Sequence, residues 1–142
     1  MKKIAVVMIL GVMVLGLSVV ATAAMGVRLR ANIPFPFYAG PELMPAGDYI
    51  FDIQSVGTGA PTASSILIHN ESGSVAKWVL TIPGVIDSGA ENHLHFNHYG
   101  NRHFLARVEG VGHQANLRLT PAEKELRAQK VAGKDAMIAA AR

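Results

Sequence analysis

Val27-Arg28-Leu29-Arg30-Ala31-Asn32-Ile33 alternates without a slip, with Val27, Leu29, Ala31 and Ile33 on one side and Arg28, Arg30 and Asn32 on the other. A period of two is that of a strand with one face in a core and one in water. Pro34 and Pro36 follow at once. They forbid helix and remove two ladder donors, so Phe35 and Phe37 belong to an extended edge or a crossing segment. Residues 38–47 are turn-rich, with Gly40, Pro41, Pro45 and Gly47. Beyond them the strand signature recurs at 48–56, with Tyr49, Phe51 and Ile53 on one face, and then at 65–70, 75–82, 92–99, 102–109 and 113–119.

The breaks between these runs carry turn chemistry. Residues 57–65 are a Gly/Ala/Pro/Ser/Thr loop, Glu71-Ser72-Gly73-Ser74 makes a hairpin turn, and 83–91 form another loop. Gly100-Asn101 is a tight hairpin, since both residues accept positive φ. Alternation places Ala76, Trp78, Leu80 and Ile82 inward, sets Phe104, Ala106 and Val108 on one face, and aligns Ala115, Leu117 and Leu119. About seven short strands joined by hairpins predict an all-β domain, an antiparallel β-sandwich or small barrel. A short C-terminal helix follows. Thr120 can cap it, Pro121 suits its first position, and Glu123 can reach back as a capping box. The helix is expected to run to about Val131, be interrupted at Gly133, and continue as a frayed Ala-rich tail over 135–141.

The other end reads as an export signal. Lys2 and Lys3 precede an apolar run over 4–20, and Ala21-Thr22-Ala23 supplies the small residues a signal peptidase needs. Cleavage is expected after Ala23, with Ala24 as the alternative. The run approaches the length of a spanning helix, but the small residues after it favour removal over a retained anchor. The expected division is therefore a signal peptide at 1–23, a β-domain at 24–119, and a C-terminal helix and tail at 120–142. The mature chain is expected in the periplasm or outside the cell, with no stable membrane anchor.

Removing 1–23 leaves 119 residues, one small domain. The whole chain holds 13 Lys and Arg against 10 Asp and Glu; without Lys2 and Lys3 the balance falls from +3 to +1. That is no nucleic-acid footprint, which needs a clustered basic face. Cysteine is absent, which excludes disulfides, thiol catalysis and cysteine-held zinc or iron–sulfur centres.

Histidine is the residue type that gathers. His93, His95, His98 and His103 lie within eleven positions, and His113 follows. His93 and His95 share a strand face, and the Gly100-Asn101 hairpin folds His103 back beside His98 or its neighbours. Converging imidazoles would suit a divalent transition metal such as zinc, copper or nickel. The blander account makes His93 and His95 the wet face of a strand whose dry face is Leu94 and Phe96. Ser55, Ser64, Ser65, Ser72, Ser74 and Ser88 sit in no nucleophile-elbow pattern and read as turn and loop serines. The acids are scattered, without the paired context of a glycosidase. Trp78 reads as core rather than a sugar platform. Asn70-Glu71-Ser72 matches a glycosylation sequon that the turn explains equally well.

The segments Ala31-Asn32-Ile33-Pro34-Phe35-Pro36-Phe37, Leu43-Met44-Pro45-Ala46-Gly47-Asp48-Tyr49 and Phe96-Asn97-His98-Tyr99-Gly100 occur in that order, with Phe104-Leu105 and Glu123-Lys124-Glu125-Leu126 behind them. This pattern resembles the small exported β-rich proteins of acidobacterial and related soil-bacterial genomes. The chain departs from it at Met44, where the pattern has Leu, and at Asn97, where members often carry His. The resemblance implies an exported β-domain and no particular activity. The expectation is a non-catalytic binding or structural module of the periplasm or cell envelope. The alternative is a metal- or small-ligand-binding protein built on the four histidines.

Overall fold

The computed structural model describes residues 26–56, 63–85, 91–129 and 133–142. The expected signal peptide at 1–23 lies outside the described residues, as do most of the 57–65 loop and residues 86–90 of the next. Ten strands and one helix follow in order. They are β1 (Val27–Ile33), β2 (Phe37–Ala39), β3 (Glu42–Met44), β4 (Gly47–Val56), β5 (Ala63–Asn70), β6 (Ala76–Pro83), β7 (His93–Tyr99), β8 (Arg102–Gly110), β9 (His113–Leu117), α1 (Pro121–Ala128) and β10 (Gly133–Ala139). The protein is all-β with a short helix near the C-terminus. No helix among the described residues is long and apolar enough to cross a membrane.

One mixed sheet holds all ten strands. From β1 the pairing runs through β4, β5, β6 and β9 to β8; β7 and β10 continue beyond β8, and the β2–β3 hairpin branches from it. The pairs are antiparallel except β2 with β8, which meet in parallel at Tyr38 and Phe104. The sheet curls so far that its two ends touch: Arg30 and Ala141 exchange backbone hydrogen bonds of 2.7 and 2.8 Å across an isolated bridge.

The alternation of β1 is realised residue by residue, with apolar side chains buried and polar ones exposed. Its antiparallel partner β4 places Tyr49, Phe51 and Ile53 on the same side. Leu29, Ile33, Ile66, Ile68, Leu94 and Val108 complete one continuous core. Phe37 lies at its centre, fully buried, edge-on to Tyr49 at 5.4 Å and to Phe96 at 5.5 Å. Edge-to-face packing sets positive ring edges against negative ring faces. The Pro-Phe-Pro-Phe segment thus crosses into the core at Phe37, with Pro34 and Pro36 exposed, and β2 beyond it is paired on both sides rather than an edge.

Four sequence expectations are corrected. Strands number more than seven because Phe37–Ala39, Glu42–Met44 and Gly133–Ala139 also pair. The C-terminal tail is not helical: β10 pairs with β7 over its whole length, and Ala136 and Ile138 pack on the core. In β8 the face changes at a bulge. Phe96 pairs with Leu105 while His95 pairs with Arg107, so Ala106 is the extra residue. Leu105 and Val108 therefore enter the core, and Phe104 is buried on the other side against Tyr38. The fourth correction concerns β6. Trp78, Leu80 and Ile82 point outward, 60%, 79% and 48% exposed, while Thr81 points inward at 7%.

Pairing with β5 explains the inversion. Ile66 and Ile68 face the core, and residues directly opposite on an antiparallel strand share a face. Ile66 faces Val79, Ile68 faces Lys77 and Ser64 faces Thr81, so Lys77, Val79 and Thr81 must turn in. The turn fixes that register. Asn70 accepts at its side chain from the Val75 N–H and bonds Val75 through the backbone, and Gly73 takes φ +69°. A one-residue slip would exchange the two faces of β6.

Candidate functional site

The histidines fall into separate arrangements. His93 and His95 lie on the outer face of β7, their ring centroids 6.4 Å apart. His95 Nε2 lies 2.9 Å from Glu109 Oε2, and Arg107 Nη1 donates to the other Glu109 oxygen at 2.8 Å. His93 approaches Glu91 at 3.7 Å. The opposite face of β7 carries Leu94 and Phe96 into the core, as expected. His98 and His103 are cross-strand partners and stack face to face at 4.3 Å; Phe35 covers the other side of His103 at 3.9 Å. Stacking turns the ring nitrogens sideways rather than toward a shared point. Among the described residues no group of three or more His, Asp or Glu is placed to hold a metal ion.

A matching trio stands on β1, β4 and β5. Asp52 accepts from Arg28 Nε at 2.6 Å and lies 3.1 Å from His69 Nε2, while His69 Nδ1 meets the Asn70 carbonyl at 3.1 Å. Both ring nitrogens of His69 are engaged, so the imidazole braces the sheet and leaves no free base. Burial pushes the Asp52 carboxyl up, but the hydrogen bonds and charges of Arg28 and His69 together hold it below the usual carboxylate range. Glu109 is held low in the same way: burial opposes, and His95 and Arg107 prevail. For His103, burial and the neighbouring His98 push the imidazole down, and the Pro36 carbonyl offers partial compensation.

Glu123 of α1 is buried at 3% exposure. Its carboxylate accepts from Asn97 Nδ2 at 2.7 Å and from the Tyr99 hydroxyl at 3.4 Å. Thr120 caps the helix by accepting from the Glu123 N–H. The capping box is therefore half made, because the Glu123 side chain turns to the sheet and pins α1 onto β7.

Among the described residues, β6 combines a groove with exposed large apolar side chains. β9 pairs with it only at residues 81–83. After Leu117 the chain leaves the sheet toward Pro121, and a groove of about 390 Å³ opens beside residues 76–80. Its floor and rim are Trp78, Val79 and Leu80, with Arg118 and Leu119 on one side and the β2–β3 tip at Gly40 and Pro41 on the other. Glu42 at that tip is ion-paired with Lys77. Trp78, Leu80 and Ile82 extend the apolar surface along one strand face, and Leu67 stands directly across from Trp78. Other hollows, between α1 and the β7–β8 turn and beside Glu71, contain none of the exposed large apolar residues. Sequence reading missed this surface because Trp78 fits either face by composition. The available signal was the polar Ser64 and Thr81 on adjacent strands, which hydrogen-bond to each other inside.

Comparison with known proteins finds no similarity: no family model, no curated protein and no solved structure matches the chain.

Proposed function

We propose that this chain is an exported, non-catalytic binding module of the periplasm or cell envelope, and that the outer face of β6 is its ligand surface. The carrying observation is the outward run of Trp78, Leu80 and Ile82 beside a groove. Small soluble domains rarely leave contiguous large apolar side chains in water, and where they do the patch meets a partner. The signal-like N-terminus and the resemblance to small exported β-rich proteins support the location. Support for a non-catalytic role comes from the titratable clusters. Asp52, Glu109, His69 and His95 brace neighbouring strands instead of facing the groove.

Cell fractionation followed by N-terminal sequencing tests the location: a start at residue 24 or 25 in an exported fraction is expected, and a start at Met1 refutes it. Retention of the purified mature chain on immobilised envelope extract tests the surface. Leu80→Asp is expected to abolish retention while changing stability by no more than about 0.5 kcal/mol, as exposed positions do. Equal retention of both proteins, or turnover of a generic ester, glycoside or phosphate, counts against the reading.

A further inference from the structure

Resting on that reading of the β6 face, we infer that the groove takes an extended polypeptide segment as an added strand on the free edge of β6. The segment lays alternate apolar side chains over Trp78 and Leu80 and sets an acidic residue against Arg118.

The edge itself selects this occupant. Over residues 76–80, β6 pairs with β5 alone, and among the described residues no backbone group is bonded to its other side. Five residues at about 3.3 Å each present some 16 Å of unpaired N–H and C=O groups. Another strand satisfies such a row in full, whereas a sugar or small apolar molecule matches it only in part. Natural edges are usually guarded by an outward lysine, a proline or a bulge. Here Pro83 lies beyond the free stretch, the β5–β6 register has no shift, and the half-exposed Lys77 is ion-paired with Glu42 at the β2–β3 tip. The free stretch is also where Trp78 and Leu80 stand outward.

Charge narrows the partner. Glu42 already compensates Lys77, while Arg118 is exposed and has no carboxylate within ion-pair distance among the described residues. The groove thus has one spare positive charge, which a carboxylate complements. A second copy of this chain fits less well. The β2–β3 tip stands beside the edge, in the way of a whole second sheet. Edge-to-edge pairing would also bring two Arg118 side chains to one seam.

The test uses the full mature chain and capped peptides of about eight residues. These alternate threonine with Val, Ile, Leu or Phe and carry one central glutamate. Trp78 is the only tryptophan in the chain, so its emission reports the groove directly. Binding should blue-shift that emission and slow amide exchange at residues 76–80 by about tenfold or more. N-methylation of alternate peptide nitrogens on one edge should abolish binding, and on the other edge leave it intact. Arg118→Glu should weaken the glutamate peptides about fivefold, and a peptide with lysine in place of glutamate should recover the loss. Equal binding of both N-methylated sets overturns the inference. So does protection of residues 76–80 that depends on protein concentration alone, which would mean self-association. If a soluble oligosaccharide shifts Trp78 emission and no peptide does, strand addition falls while the binding face stands. If neither these ligands nor envelope extract affects Trp78, both fall.

Discussion

Ser64 and Thr81 offer a direct test of how β6 is turned. They are cross-strand partners, 5% and 7% exposed, and their hydroxyls hydrogen-bond to each other inside the core. Thr81→Val keeps the shape and leaves the Ser64 hydroxyl without that partner. Stranding a buried hydroxyl costs about 1–3 kcal/mol, and Ser64→Ala strands Thr81 by the same argument. The double variant strands neither, so its stability should return to within about 1 kcal/mol of the parent. With single losses of about 2 kcal/mol each, the coupling should therefore be about 3–4 kcal/mol, opposite in sign to the single effects. For a domain of this size each kcal/mol moves Tm by about 4 °C. Urea unfolding followed by far-UV circular dichroism measures all four proteins, since the exposed Trp78 is a poor reporter of unfolding. A Thr81→Val variant as stable as the parent would refute the reasoning. Thr81 would then face water, Trp78 would face the core, and the binding surface would vanish with it.

Glu123→Ala removes the carboxylate that pins α1 to Asn97 and Tyr99. A loss of about 1.5–3 kcal/mol in urea unfolding is expected, with Glu123→Gln losing less. Gly110→Val should cost about 1–3 kcal/mol by overpacking, because a Cβ there would lie 3.0 Å from Val27 and 3.4 Å from Leu29; the same unfolding assay measures it. His103 sits between Phe35 and His98, with its imidazole held below the ordinary value. Its unfolded form binds protons more readily, so its contribution is full above about pH 6.5 and is lost as pH falls through the folded value. Chemical unfolding between pH 7.5 and 5 should show that slope, and His103→Phe, which keeps the stack, should flatten it. Asp52 and Glu109 are depressed carboxylates, so their contributions hold above about pH 4 and are lost only below it, in a separate window.

The parts of this fold that were legible in the sequence are those where pattern and position agree. In β1, polar and apolar residues alternate and leave one choice of face, and the structure uses it. The Gly100-Asn101 hairpin brings His103 back to His98 or its neighbours, and the structure stacks it on His98. The helix start at Thr120 was equally readable, because capping is a local event. Long-range pairing was not. Gly133–Ala139 is Ala-rich and helix-friendly by propensity, but β7 offers it a full antiparallel edge and a place for Ile138 on the core. Ladder hydrogen bonds and burial outweigh a few tenths of a kcal/mol per residue of intrinsic preference. The bulge at Ala106 leaves no local mark either, because Leu105 and Ala106 suit either face.

β6 shows why the site was harder to read than the fold. Ala76, Trp78, Leu80 and Ile82 make one face of the strand apolar, while Lys77, Val79 and Thr81 leave one apolar residue on the other, so alternation alone favours the first set. The decision rests on a neighbour: Ile66 and Ile68 fix the inner face of β5, and the Asn70–Val75 turn fixes which residues of β6 lie opposite them. Thr81 is then drawn inward with a partner waiting in Ser64, while Lys77 on the same side stays half-exposed and pairs with Glu42. The Ser64 partner makes the inversion affordable, since a buried hydroxyl without one would reverse the preference. Had Trp78, Leu80 and Ile82 been inside, the domain would have gained core and lost its exposed apolar strip. The register instead keeps Thr81 in and three large apolar residues out. Stability alone does not ask for that choice; the proposed ligand surface would account for it.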